Sequence, residues 1–121
     1  MISIDEMQDM LDELAEELPP VFYDDLNGGI LLLPGIKLSE YAQTDDLYVL
    51  GEYVRDMAMG RFIVMYYGSF ERVFGHLSPE ALKNQLRKTL RHEFRHHIEY
   101  LAGEDALEKE DDEYINKYLN D

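Results

Sequence analysis

Residues 90–99 hold the chain's densest set of chemically capable side chains, and within them lies His92-Glu93-x-x-His96. On a helix, residues four apart stand one turn above each other, so two such imidazoles can share one metal ion. Glu93, about 100° round the axis from His92, can lean over the same ion and take a proton from its bound water. Two histidines, one glutamate and a divalent cation are the parts of a hydrolase. The competing reading is a polar helix face that is simply solvated. His97 falls at the edge of the apolar side and is read as a packed or hydrogen-bonded histidine, outside the ligand set.

The chemistry requires a helix, and the flanking sequence provides for one. Ser78-Pro79-Glu80 combines an N-cap, a proline at the first helical position and an acid in the first turn. Leu82, Leu86, Leu90, Phe94, Ile98 and Leu101 then recur at helical spacing, which predicts a stripe buried opposite His92 and His96. Gly103 is the expected C-cap.

Upstream, Ser3 with Glu6 has the form of a capping box, and Ile4, Met7, Met10, Leu11, Leu14 and Leu18 predict an amphipathic helix stopped by Pro19-Pro20. Its methionines are read as core filler. Residues 21–27 read as a connector or short extended piece, followed by a turn at Asn27-Gly28-Gly29. Ile30-Leu31-Leu32-Leu33, residues 47–54 and residues 61–67 predict three strands. Residues 36–46 and 55–60 connect them, and residues 69–75 form a short helix or loop. Beyond Gly103, Leu107, Tyr114, Ile115, Tyr118 and Leu119 suggest a last amphipathic helix. The expected fold is one α+β domain over residues 1–121, with an N-terminal helix, a sheet of about three strands, the His-Glu helix and a C-terminal helix.

Composition narrows the function. The chain of 121 residues has no cysteine, so any metal must be held by His, Asp or Glu. A net charge of −15 argues against nucleic-acid and anionic membrane partners. The N-terminus has neither a basic region nor an apolar run, and no window is long enough to span a bilayer, so cytoplasmic residence is the default expectation. Of the 11 Lys and Arg residues, Lys83, Arg87, Lys88, Arg91 and Arg95 lie on the His-Glu helix, while acids crowd both ends of the chain. Acidic end helices are therefore expected to pack beside the basic central one with charges paired at the rims; a basic groove for acidic substrates is the weaker alternative.

Several stretches occur together in a way that resembles one family. These are residues 47–53, 60–70, 75–78 and 89–97, with Asp24-x-x-Asn27-Gly28-Gly29-Ile30 and Gly103-Glu104-x-x-Leu107-Glu108. The chain resembles the small bacterial zinc-dependent metallopeptidases with a minimal zincin-like (matrix-metalloprotease-like) domain. The likeness covers nearly the whole chain and implies a zincin-like α+β fold, a Zn²⁺ cofactor and a peptide or protein substrate. Some members carry a glycine three residues after the second histidine and an aspartate ligand three residues later. Here those positions are Glu99 and Ala102, so the third ligand does not carry over. Glu104 is the first choice, if the chain reverses at Gly103. Glu108 follows, with Asp112 at Glu-x-x-x-Asp spacing from it. Glu99 is placed as a partner for an imidazole N–H.

The expected mechanism is peptide hydrolysis through a metal-bound water, with His92, His96 and Glu104 on zinc and Glu93 as general base. The strand over residues 61–67 could receive an extended peptide if it forms the cleft edge, and Tyr66 or Tyr67 could then face the oxyanion. The alternative is a non-catalytic, metal-stabilised acidic regulatory module.

Overall fold

The computed structural model describes residues 1–40 and 47–104, with the backbone alone at Glu104. In chain order, helix α1 (Ile4–Glu16) leads through a 3-10 turn (Pro20–Tyr23) to strand β1 (Gly29–Leu33). Strands β2 (Gly51–Asp56) and β3 (Gly60–Tyr66) follow, then α2 (Tyr67–Phe74) and α3 (Pro79–Glu104). The class is α+β, with a mixed three-stranded sheet in the order β1-β3-β2.

Both long helices begin where their caps dictate. The Ser3 hydroxyl accepts from the Glu6 N–H and the Glu6 carboxylate accepts from the Ser3 N–H, each at 3.1 Å, which satisfies two otherwise orphaned donors of α1. At α3 the Ser78 hydroxyl accepts from the Ala81 N–H at 3.2 Å. The apolar stripe of α3 is buried except at its end, where Leu101 is half-buried: Leu82, Leu86, Leu90, Phe94 and Ile98 join Met7, Leu11 and Leu14 of α1 in one core. The predicted charge pairing follows from that packing. Glu17 takes Arg87 at 2.9 Å and Arg91 at 3.5 Å, and Glu13 pairs with Lys83.

The strands correct the sequence reading in detail. β3 runs antiparallel to β2 and parallel to β1, so it is the central strand, and Phe62, Ile63, Val64 and Met65 are all buried. Ile63 and Met65 face α3 and the main core, while Phe62 and Val64 take the other side of the sheet. The expected strand over 47–54 starts later, at Gly51, and reaches Asp56. Asp56 accepts the Ala58 and Met59 N–H groups, and Gly60 at φ +80° completes the reversal into β3. The connector after α1 is helical at Pro20–Tyr23 rather than extended. Tyr67, expected at the end of a strand, opens α2. Helix α3 runs through Gly103 instead of stopping before it. The predicted C-terminal helix lies outside the described residues.

The position of α3 is set by a close approach at Gly51. A Cβ there would stand 3.0 Å from both the Met65 sulfur and the Thr89 methyl, so any larger residue would make both neighbours give way by a few tenths of an ångström. Two strand residues rise about 6.6 Å and four helical residues about 6 Å, so the two elements stay in step. Gly51 meets Thr89, Tyr53 meets Glu93 and His97, and Arg55 meets Tyr100.

Candidate functional site

A cleft of about 670 Å³ opens between β2 and the second half of α3, lined by Gly51, Glu52, Tyr53, Arg55, His92, Glu93, His96, Glu99 and Tyr100. The two histidines of the motif are exposed within it, with their Nε2 atoms 3.2 Å apart and their rings nearly perpendicular at 86°. Two ligands of a tetrahedral zinc, each about 2.0–2.1 Å from the ion, are themselves about 3.3 Å apart. The same 3.2 Å is a hydrogen-bond distance between the two rings, and it is also compatible with two ligands of one ion, for which imidazole nitrogens are suitable donors.

Glu93 sits behind the pair, 6% exposed. Burial pushes its carboxyl above the ordinary carboxylate range. The Glu52 charge adds to the rise, whereas His96 and a hydrogen bond from the Tyr53 backbone N–H hold it back. A carboxylate raised in this way is better suited to accept a proton. The Tyr53 N–H is available to it because of the ladder register. The Tyr66 N–H donates to the Leu50 carbonyl at 3.0 Å, so pairs at 52, 54 and 56 carry the bonds to β3. Gly51, Tyr53 and Arg55 consequently turn their backbone N–H and C=O groups away from the sheet, along the cleft.

His97 is fully buried, as its place beside the apolar stripe predicts. Its Nε2 lies 2.7 Å from the Asp24 carbonyl, which can only accept, so the ring carries its proton there. Nδ1 then accepts from the Tyr53 hydroxyl at 2.7 Å. Burial holds this imidazole below the ordinary histidine pKa. The neutral ring ties α3 to β2 directly behind the cleft.

Other expected participants lie elsewhere. β3 is central, so the strand with an outward-facing edge at the cleft is β2. Tyr66 donates to Glu52 at 2.5 Å on the sheet face opposite α3. Tyr67 donates to the Ile2 carbonyl at 2.5 Å and serves to seat the N-terminus. Neither hydroxyl reaches the histidines. Glu99 does line the cleft, one turn beyond Arg95. The choice of Glu104 depended on a reversal at Gly103. The helix instead carries the Glu104 backbone eight residues, about 12 Å along the axis, past His96. The side chain of Glu104, with Glu108 and Asp112, lies outside the described residues.

Sequence reasoning missed Glu52, Arg55 and Tyr100. Glu52 accepts from Lys37 Nζ at 2.5 Å as well as from Tyr66, and these two partners outweigh burial to leave its carboxyl below the usual range. Alternation along β2 is the signal the sequence carries for it, and the strand expected over 47–54 has different ends from the one observed.

No model of a known protein family matches the chain, and no curated protein does. Among solved structures, a conserved hypothetical protein from Thermus thermophilus is similar at 30% identity and a TM-score of 0.72. The match covers 85% of this chain and 100% of that one. This chain belongs to that protein's family. The family so identified comes with no stated activity. The resemblance to the small bacterial zinc-dependent metallopeptidases is corrected accordingly: no family model supports it, and the solved relative is described only as hypothetical. Among the described residues, moreover, no three His, Asp or Glu side chains gather to hold a metal. Two imidazoles converge, and among the described residues no third protein ligand joins them.

Proposed function

We propose that the chain is a metal-dependent hydrolase of peptide bonds, working in the cleft between β2 and α3. The reading is carried by the 3.2 Å convergence of His92 and His96 Nε2 beside a buried carboxylate with a raised pKa. His92 and His96 would hold a zinc ion, which supplies a Lewis acid that brings a water's pKa towards neutrality. Glu93 accepts the proton of the attacking water and returns it to the departing amine. The Tyr53 N–H orients Glu93 for both transfers. The outward-facing groups of Gly51 and Arg55 hold an extended peptide alongside β2, as an added strand.

The test is Glu93→Gln, assayed on a quenched-fluorescence peptide library with zinc present. Removing the general base should lower turnover by roughly a hundredfold or more, while zinc binding by calorimetry stays within a factor of a few. Turnover equal to the wild type defeats the assignment. Zinc binding with no turnover in either protein leaves only the reading of a metal-stabilised module without catalysis.

A further inference from the structure

At the far end of the same cleft, two arginines converge on one aromatic ring. Arg55 and Arg61 are direct cross-strand partners of β2 and β3. Their guanidinium carbons stand 4.5 Å and 5.5 Å from the centroid of the Tyr100 ring. Like charges directly opposite each other on a sheet are destabilising, and a neighbouring carboxylate is the usual remedy. Yet among the described residues no carboxylate pairs with either arginine, although Lys37, Lys83, Arg87 and Arg91 each take one. Arg61 is anchored through its Nε to the Asp25 carbonyl at 2.9 Å, and Arg55 is exposed and lines the cleft.

This arrangement fits anion recognition. Arg61 and Tyr100 form a fixed backing, and stacking on the ring orients the Arg55 fork while leaving its N–H edge to meet a planar carboxylate. Tyr100 is one turn, about 6 Å, beyond His96 on α3, which corresponds to about two residues of an extended chain. We infer that Arg55, with Arg61 beside the same Tyr100 ring, receives a carboxylate of the peptide substrate about two residues from the bond that is cut. The inference rests on the hydrolase reading for its substrate and deepens it to a preference for acidic peptides. The carboxylate can come from an Asp or Glu side chain or from a free C-terminus.

Fluorescence anisotropy on the chelated, metal-free protein tests this without turnover. The probes are labelled decapeptides carrying one Glu at successive positions, their Gln counterparts, and short peptides with free or amidated C-termini. Glu peptides should bind about tenfold more tightly than their Gln twins. Arg55→Gln should erase that difference, and Arg55→Lys should restore part of it, with unchanged circular dichroism in both. An Arg55-dependent loss of affinity on amidation assigns the carboxylate to the C-terminus; an Arg55-dependent loss on Glu→Gln exchange assigns it to a side chain. Wild-type binding that is indifferent both to Glu→Gln exchange and to amidation, or a preference that survives Arg55→Gln, overturns the subsite. The same peptides with zinc restored separate the two proposals. Cleavage without acidic preference sinks the subsite alone, and acidic preference without cleavage sinks the hydrolase alone.

Discussion

The Tyr53 hydroxyl donates to Nδ1 of the buried His97 at 2.7 Å, joining the edge strand to the helix that carries both metal-binding candidates. His97→Ala leaves the Tyr53 hydroxyl and the Asp24 carbonyl without this partner and opens a cavity, and should cost about 2–4 kcal/mol in denaturant unfolding. Tyr53→Phe removes only the hydroxyl and should cost about 1 kcal/mol. Equal losses from the two changes would show that the imidazole contributes nothing beyond that one hydrogen bond.

Zinc should stabilise the fold through His92 and His96. At a free concentration 100 times the dissociation constant, binding contributes about 2.7 kcal/mol, or roughly 10 °C in a thermal melt of a domain this size. His92→Ala and His96→Ala should each abolish the shift, and a chelator should reverse it in the wild type. A zinc-dependent rise that persists in both variants places the metal elsewhere.

Glu104→Ala should leave zinc affinity unchanged within about twofold, because α3 carries that backbone about 12 Å along the axis beyond His96. Calorimetric titration decides it. A tenfold loss of affinity would return Glu104 to the ligand set and require the helix to break before Gly103.

Tyr23 should contribute to the loss of stability at alkaline pH. Its hydroxyl donates to the Ala15 carbonyl and its ring packs edge-on against Phe94 at 5.2 Å. Burial pushes its pKa up to about 12 from the ordinary 10.0. Because the folded value is the higher one, the stabilisation is fully present below about pH 10 and is lost as pH rises from there through about 12. Tyr23→Phe should cost about 1 kcal/mol at neutral pH and flatten the fall in stability across that window. A wild-type and variant pair that decline in parallel from pH 10 to 12 would assign the alkaline transition to other groups.

Local periodicity and capping chemistry determined α1 and α3 from the amino-acid sequence: Ser3 with Glu6, Ser78 with Pro79, and the buried row from Leu82 to Ile98. The same 3.6-residue repeat sent His92 and His96 to one side and His97 to the other, since each of these placements depends only on neighbours within a turn or two. Which strand forms the edge was decided by tertiary structure. β1 and β3 are both apolar enough to be central, and the choice between them rests on pairings between residues more than thirty positions apart, such as Ile30 with Ile63. That pairing made β3 central, turned the backbone of β2 towards the cleft and sent Tyr66 to the opposite face. Packing of α3 on the β2–β3 hairpin brought Tyr100 to Arg55 and Arg61. Such a cluster leaves no mark on local composition, because its energy exists only once the chain has folded.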